Sequence, residues 1–551
     1  MKDDDKAELA PKREETRVEP SRRQFLIGAG VLGIGLGLGG LQSAPAANAA
    51  QRLASDETLR RKVKNIVVIY AENRSFNNLF ADFPGLAQPL ANAVPQHVQL
   101  DRDGNPLTYL PKIWSGLVPK PQQLDGREYL IGEDHITGLP NAPFPLRDAQ
   151  GAPLHPGLIT RDLVHAFYQN QMQINGGRND GFVAWGDSGA LVMGQYANAS
   201  TLRLWQLARE FTLCDNFFMG AFGGSFLNHH FLIAGRAPLY PNHLSSPARE
   251  KVAALKGSDP HGYELALAET SPASALDGPP QFVNPGALSP DGFAVNTFLP
   301  PYQPSHIAPA AGGDPTLADP NNPSTLPPQT HATIGDLLSA KGVDWAWYGG
   351  GWQAALDGQG KATIFQPHHQ PFNYFKQFAP GTPAREKHVR DGGVGDDPST
   401  NHFIADIDAG RLPPVTFYKP QGDLNLHAGY ANVASGDAHI GTVVDHLRNG
   451  PQWDDTVVIV TFDENGGWWD HVAPPEGDRW GPGTRIPALV ISPFSQGGAV
   501  DHSVYDTTSI LRLITRLHDL PKLQGLRERD EARARRGQPP LGDLTGALRL
   551  V

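Results

Sequence analysis

The runs at residues 63–70 (VKNIVVIY), apolar from Ile66 onward, and 457–460 (VVIV) constrain the fold most, because each is rich in β-branched residues, with none of the polar alternation of a strand that has one face in water. Such runs fill central strands of a sheet covered on both faces. Each breaks off into polar residues: AENRSF follows Tyr70, and TFDENGGWWDHVAPP follows Val460. Helical and strand patterns alternate around them. Leu163, Phe167 and Ile174 in TRDLVHAFYQNQMQING have near-helical spacing, which predicts a helix opened by Thr160 and stopped by Gly176-Gly177. TLRLWQLAREF and TLCDNFF read as a helix and its strand, and TIGDLLSAKG and VDWAWYGG repeat that order. LPPVTFYKP and IPALVISP read as strands, DAHIGTVVDHLRNG as a helix ending at Gly450, and TTSILRLITRLH as a helix from Thr507 or Thr508. The alternation predicts an α/β fold, a three-layer sandwich with a largely parallel central sheet. The charged tail RERDEARARRGQPP reads as a solvated helix or a flexible end.

Composition narrows the function class. With 60 Gly and 50 Pro in 551 residues, long irregular segments are expected, and residues 236–330 have the Pro, Ala, Ser and Gly content for one. Motif-bearing segments flank that stretch and have to meet, so it reads as a surface excursion of one catalytic domain spanning residues 50–551. A net charge of −11 argues against the basic face that nucleic acid requires and fits a small-molecule enzyme better. Residues 1–49 read as a twin-arginine signal peptide: Arg22-Arg23 precede a Gly-rich, moderately apolar run and a small-residue cleavage site at Ala47-Asn48-Ala49. That predicts a periplasmic or secreted protein, handled by the twin-arginine export machinery and without a stable membrane span in its mature form. Cys214 stands alone, which rules out an intramolecular disulfide and leaves oxygen and imidazole as the ligands for any metal.

Three polar clusters follow predicted strands: Glu72-Asn73, Ser225 with Asn228, and Asp463-Glu464. In an open α/β sheet such clusters project from one edge. Glu72, Asp463 and Glu464 would bring three like charges together, and a hard divalent cation is the economical way to neutralise them. GGSFLNHH places a hydroxyl after two glycines, PHHQPFNY contributes His368 and His369, and LNLHAGYANVASGDAHI contributes His427 and His439. Imidazoles beside a cation can hold phosphoryl oxygens or protonate a leaving group. Each piece has a plainer reading: a helix cap for Glu72-Asn73, a turn for Asp463-Glu464, and structural roles for His229-His230. The pair His368-His369 is open between function and structure, and the set carries the weight.

VVIYAENRSFNNLF, GGSFLNHH, PHHQPFNY, HAGYANVASGDAHI and VTFDENGGWWDHVAPP, in this order, resemble the bacterial phosphoesterase family that joins phosphatidylcholine-type phospholipases C with respiratory-burst-inhibiting acid phosphatases, within the alkaline-phosphatase-like superfamily. The resemblance runs from about residue 63 to 515, weakest in the excursion. It implies that Glu72, Asn73, Ser225, Asp463 and Glu464 hold a divalent metal ion, with Ca²⁺, Mg²⁺ or Mn²⁺ favoured by the oxygen donors. It further implies Ser225 as nucleophile, and Asn228, His368, His369 and His427 around the phosphate, with one histidine protonating the leaving group and His165 lining the pocket. Phospholipase members commonly carry Thr at the nucleophile position and continue into further β-domains; Ser225 and the end of this chain point to the acid-phosphatase branch, while the Asp463-Glu464 pair stands where that branch can have two aspartates.

The expected function is therefore an exported, metal-dependent phosphoesterase that hydrolyses phosphate monoesters through a phosphoserine. The rival within enzymes is a phospholipase C or phosphodiesterase on choline-headgroup lipids, for which Trp345, Trp347, Trp352, Trp468 and Trp469 could build an aromatic cage, although such residues are more often core. The rival from another class is a non-catalytic periplasmic phosphate- or metal-binding protein. The expected partner is a small phosphate ester or a phospholipid headgroup.

Overall fold

The computed structural model describes residues 55–93 and 98–550. The export signal read at residues 1–49 lies outside the described residues. Eight strands form the main sheet: β1 (Asn65–Ala71), β2 (Thr212–Cys214), β3 (Trp345–Gly350), β4 (Val389–Gly393), β5 (Val415–Lys419), β6 (Thr456–Phe462), β7 (Ala488–Ile491) and β8 (Val500–Asp501). Their order across the sheet is β8-β2-β7-β6-β1-β5-β3-β4. Only β7 runs against its neighbours, β6 and β2; every other pairing is parallel.

Every residue of β1, β5 and β6 is buried, as the unbroken apolar runs predict. The helices that cover the sheet fall into two packed groups. One holds α1 (Arg203–Glu210), the helix His402–Asp408 and α3 (Val433–Asn449); the other holds α2 (Ser225–Ala234), Ile334–Lys341 and α4 (Thr508–His518). In α3, Ile440, Val443, Val444 and Leu447 recur at helical spacing and are buried, while Asn432 caps the first turn by accepting from Ser435 N. With the sheet between these groups, the three-layer α/β sandwich is confirmed.

Four local expectations are corrected. The helix expected from Thr160 begins only at Phe167 (Phe167–Ile174). Residues 160–166 stay extended because their backbone is bound elsewhere: Arg161 N donates to Leu117 O, and Val164 N to Asp187 Oδ1. The helix α3 starts at Val433, one turn before DAHIG, where Asn432 supplies the cap. Ser225 does not hang off a strand of the main sheet. It opens α2, after a two-residue strand Phe217–Phe218 that pairs with Tyr505–Asp506. Finally, the charged tail contains a helix, Gln524–Arg535, that is docked rather than solvated. Its Arg529 is fully buried and forms ion pairs with Asp478 and Asp506.

The excursion carries no α-helix or paired strand between residues 236 and 333, only the 3₁₀ turns His243–Ser245 and Arg249–Lys251 and isolated bridges. It is nevertheless anchored. Leu265, Leu288, Ala294, Val295, Phe298 and Leu326 are buried in the common core. Its carbonyls, lacking a ladder, accept from side chains: Arg102 donates to Pro272, Ser274 and Gly278, and Tyr374 Oη to Phe298.

Candidate active site

Strand register delivers the carboxylates. β1 and β6 pair from Asn65↔Thr456 to Ala71↔Phe462, so Glu72 and Asp463 leave adjacent strands at the same level. The two loops then interlock. Asp463 Oδ1 accepts from Asn73 N at 3.1 Å and Glu464 N at 2.7 Å, and Arg74 N donates to Glu464 O. Asn73 sits at φ 59° and Gly466 at φ 60°, the left-handed region that Asn and Gly tolerate. A Cβ on Gly466 would overlap Asn73, so the glycine permits the contact between the loops.

Glu72, Asp463 and Glu464 are all fully buried. Glu72 Oε1 meets Lys419 Nζ and His369 Nε2, and Glu72 Oε2 accepts from Tyr430 Oη at 3.1 Å. Burial opposes the charge of Glu72, but the neighbouring His369 and Lys419 overcome that and hold its carboxyl well below the usual range. Burial drives His369 down to about 4, against the pull of Glu72. The other two are shifted the opposite way. Burial, reinforced by Glu72, pushes Asp463 up to about 6, and burial also raises Glu464, though His165 works against it.

The nucleophile candidate meets these groups at the first turn of α2. Ser225 Oγ lies 3.4 Å from Glu464 Oε1 and 3.5 Å from Asn73 Oδ1. Gly223 (φ 89°) makes the approach possible, since a Cβ there would stand 2.6 Å from the Phe167 backbone. The side chain of Asn228 is taken up by the loop itself: it accepts from Ala221 N and donates towards the carbonyls of Ala221, Gly223 and Gly224. It shapes the nucleophile loop rather than facing a ligand. His229, assigned to structure from the sequence, lies closer to the chemistry: its Nδ1 is 2.7 Å from Ser225 O and 3.9 Å from Asp463 Oδ2.

A cavity of about 720 Å³ opens over Ser225, with His165, His368 and His427 beside it. His369 stands behind, on Glu72. His165 Nδ1 donates to Leu163 O at 2.6 Å, and its Nε2 faces Glu464 Oε1 at 3.7 Å. Burial opposes protonation of this ring, but Glu464 and Asp162 raise it to about 9. Burial depresses His368 and His427 instead. The five tryptophans considered for a choline cage are buried and none lines the cavity.

These residues fit a divalent cation. Asp463 Oδ2 is fully buried with no hydrogen-bond partner, and ligand atoms of Glu72, His229 and Asp463 lie within 4.8 Å of one another. Ser225 Oγ and Asn73 Oδ1 add hard oxygen donors beside the three crowded carboxyl groups, whose mutual repulsion a cation would relieve. Sequence reasoning missed Lys419, Tyr430 and Asp162. For Lys419 a signal existed: a lysine closing the apolar strand VTFYK has to be paired to be buried.

The Phosphoesterase family matches residues 63–521. Phospholipase C A of Mycobacterium tuberculosis is 26% identical over 491 residues, covering 83% of this chain and 73% of that protein. Phospholipase C B of the same organism is 34% identical over 143 residues, 22% of this chain, and the matched part spans only 27% of that protein's length. Among solved structures, a Vibrio parahaemolyticus protein of the alkaline phosphatase superfamily aligns with 14% identity and a TM-score of 0.28, over 60% of this chain and 63% of that one. The family match runs from the threshold of β1 past the end of α4 and takes in every loop that meets at Ser225: the chain belongs to the Phosphoesterase family, a family of phosphoric ester hydrolases.

Proposed function

We propose that the protein is an exported, metal-dependent phosphoesterase that hydrolyses phosphate monoesters, in the manner of an acid phosphatase, through a phosphoserine. One observation carries this reading: Ser225 Oγ within 3.5 Å of Asn73 and Glu464, beside buried Asp463 and Glu72, on the floor of an open cavity. A divalent cation held by Glu72, Asn73, Asp463 and Glu464 would lower the pKa of the Ser225 hydroxyl and offset charge on the transferring phosphoryl group. Ca²⁺, Mg²⁺ or Mn²⁺ suits that oxygen-rich set. Ser225, its hydroxyl proton lost to solvent, attacks phosphorus as the alkoxide in line with the departing oxygen, forming one P–O bond as the other breaks, and leaves as the alkoxide in the second step. The first turn of α2 presents backbone N–H groups to the anion. His165, which lines the cavity and holds its proton up to about 9, gives that proton to the leaving alkoxide. Water then attacks the phosphoserine, giving its proton back to His165 and releasing Ser225, so the configuration at phosphorus is retained.

A second reading, a phospholipase C acting on choline-headgroup diesters, is favoured by the names of the relatives. The monoester reading is supported by the cavity, whose aromatic rings besides histidine are Phe226 and Tyr430 and do not include the tryptophans. Phosphate release from an aryl phosphomonoester and from an aryl phosphocholine, each with and without chelator, separates the readings. Monoester turnover abolished by chelator is expected. Diester turnover alone would establish the phospholipase reading, and neither activity would leave a binding protein. Export is tested by sequencing the N-terminus of the protein recovered outside the cytoplasm; among the described residues no helix is long and apolar enough to cross a membrane.

A further inference from the structure

The cavity over Ser225 has two unlike sides. One is the reactive floor of Ser225, His165, His368 and His427; the other comes from the excursion, which contributes Asn296, Thr297 and Leu299. This wall is fixed in place. Asn296 Oδ1 accepts from Phe167 N at 2.9 Å, two residues beyond His165, and its Nδ2 donates to Gly286 O at 2.7 Å. Phe298 is fully buried and its carbonyl accepts from Tyr374 Oη at 2.7 Å, which turns the flanking Thr297 and Leu299 towards the opening. Leu299 is bound on both sides of its peptide, donating to Ser324 O and accepting from Leu326 N. Further back, Arg479 forks onto Asp291 at 2.7 and 2.8 Å and clasps the same segment to the loop after Asp470.

The charge of the cavity is equally one-sided. Among the described residues no lysine or arginine lines it. At the rim stand Asp187, whose charge is met by Arg161 at 2.8 Å, and the exposed Asp162, which faces His165 Nδ1 at 3.8 Å. Val164, Ala166 and Leu299 supply apolar surface alongside.

Resting on the phosphoesterase reading of Ser225, we infer that residues 296–299 are the leaving-group wall, and that the site selects phosphate esters whose alcohol is uncharged and apolar. The scissile phosphate brings its charge to the floor, where histidines and the metal-ligand set receive it. A second anionic group on the alcohol would lose its water against Asn296, Thr297 and Leu299, which offer it no cation, between two rim carboxylates already matched by Arg161 and His165, so it is disfavoured. An apolar alcohol instead covers Leu299 and Val164 and releases water from them.

The test compares kcat/KM for naphthyl, glyceryl, phenyl and 4-carboxyphenyl phosphates on the intact protein with added Mg²⁺ or Mn²⁺. The wild type is expected to favour naphthyl over glyceryl phosphate, and phenyl over 4-carboxyphenyl phosphate. Leu299→Ser should lower the naphthyl-to-glyceryl ratio on the order of tenfold, the discrimination that small apolar contacts provide. Thr297→Lys, an exposed and therefore tolerant position, should raise the 4-carboxyphenyl-to-phenyl ratio severalfold. If both variants change all four values by a common factor, or change none, the wall does not select the alcohol and the inference falls. If no ester is hydrolysed while the protein is folded, the phosphoesterase reading fails first and takes the inference with it.

Discussion

Replacing Lys419 by methionine probes the electrostatics that the site depends on. The ammonium is fully buried at the end of β5 with Glu72 as its ion-pair partner; methionine keeps the unbranched stem and removes the charge. Breaking one side of a buried pair costs about 3–5 kcal/mol, because the surviving charge stays out of water. A second route gives a similar size. Glu72 can escape by taking up a proton, and from its ordinary value of 4.5 to pH 7 that costs roughly 3.4 kcal/mol at about 1.4 kcal/mol per unit. With an unfolding entropy of about 2 cal/mol/K per residue, a unit of this length loses about 1 °C per kcal/mol, so Tm should drop by about 3–5 °C. The pH dependence has a definite sign. Glu72 is depressed in the folded protein, so its stabilisation is present above the unfolded value and is lost as pH falls through the folded one. Both pH 5 and pH 8 lie above the unfolded value, so the wild-type contribution is present at both; in the variant Glu72, without its cation, takes up a proton on folding, and because that costs more as pH rises the deficit is larger at pH 8 than at pH 5. Calorimetry of chelated wild type and variant at both pH values measures it, and added Mg²⁺ should narrow the gap by neutralising Glu72. Equal melting temperatures at pH 8, or a deficit that grows on acidification, would refute the pairing.

Further outcomes follow from other parts of the molecule. Saturating the chelated protein with a divalent cation at a hundred times its dissociation constant should stabilise it by about 2.7 kcal/mol, read as a rise in Tm. Gly466→Ala should lower kcat at least tenfold, because a side chain at φ 60° displaces Asn73; steady-state kinetics on an aryl phosphate checks this. Arg529→Met strands Asp478 and Asp506 and should cost about 3–5 kcal/mol in urea unfolding, much of it recovered when both aspartates become asparagine.

How far the sequence reveals this site depends on what each residue's placement rests on. Glu72 and Asp463 are legible because two apolar strands of equal character announce a shared, doubly buried sheet, and register does the rest. Within the DENGGWWDHVAPP loop, however, proximity misleads: Asp470 is committed to Arg485 at 3.0 Å and to Asn77 N, and Asn465 Nδ2 to Trp468 O, so only its first two acids face Ser225. Asn228 and His229 exchange their expected roles because helical geometry, invisible in the string NHH, turns one amide back onto its own loop and the other ring towards Asp463. The helix expected from Thr160 fails since tertiary hydrogen bonds to Leu117 and Asp187 hold that stretch extended, which is what brings His165 to the cavity. The contribution of Thr297 and Leu299 is not legible at all, because an aperiodic, Pro-rich segment gives no local signal of where its chain will pass.

The central claim, that buried carboxylates gather around Ser225 so that its oxygen takes the phosphoryl group, is tested most directly by acid-quenching turnover of a phosphate-labelled aryl ester and mapping the label. The account predicts covalent phosphate on the peptide containing Ser225 and none in Ser225→Ala, whose melting curve should match the wild type. Sustained turnover with no labelled protein, or undiminished activity in that variant, would contradict it.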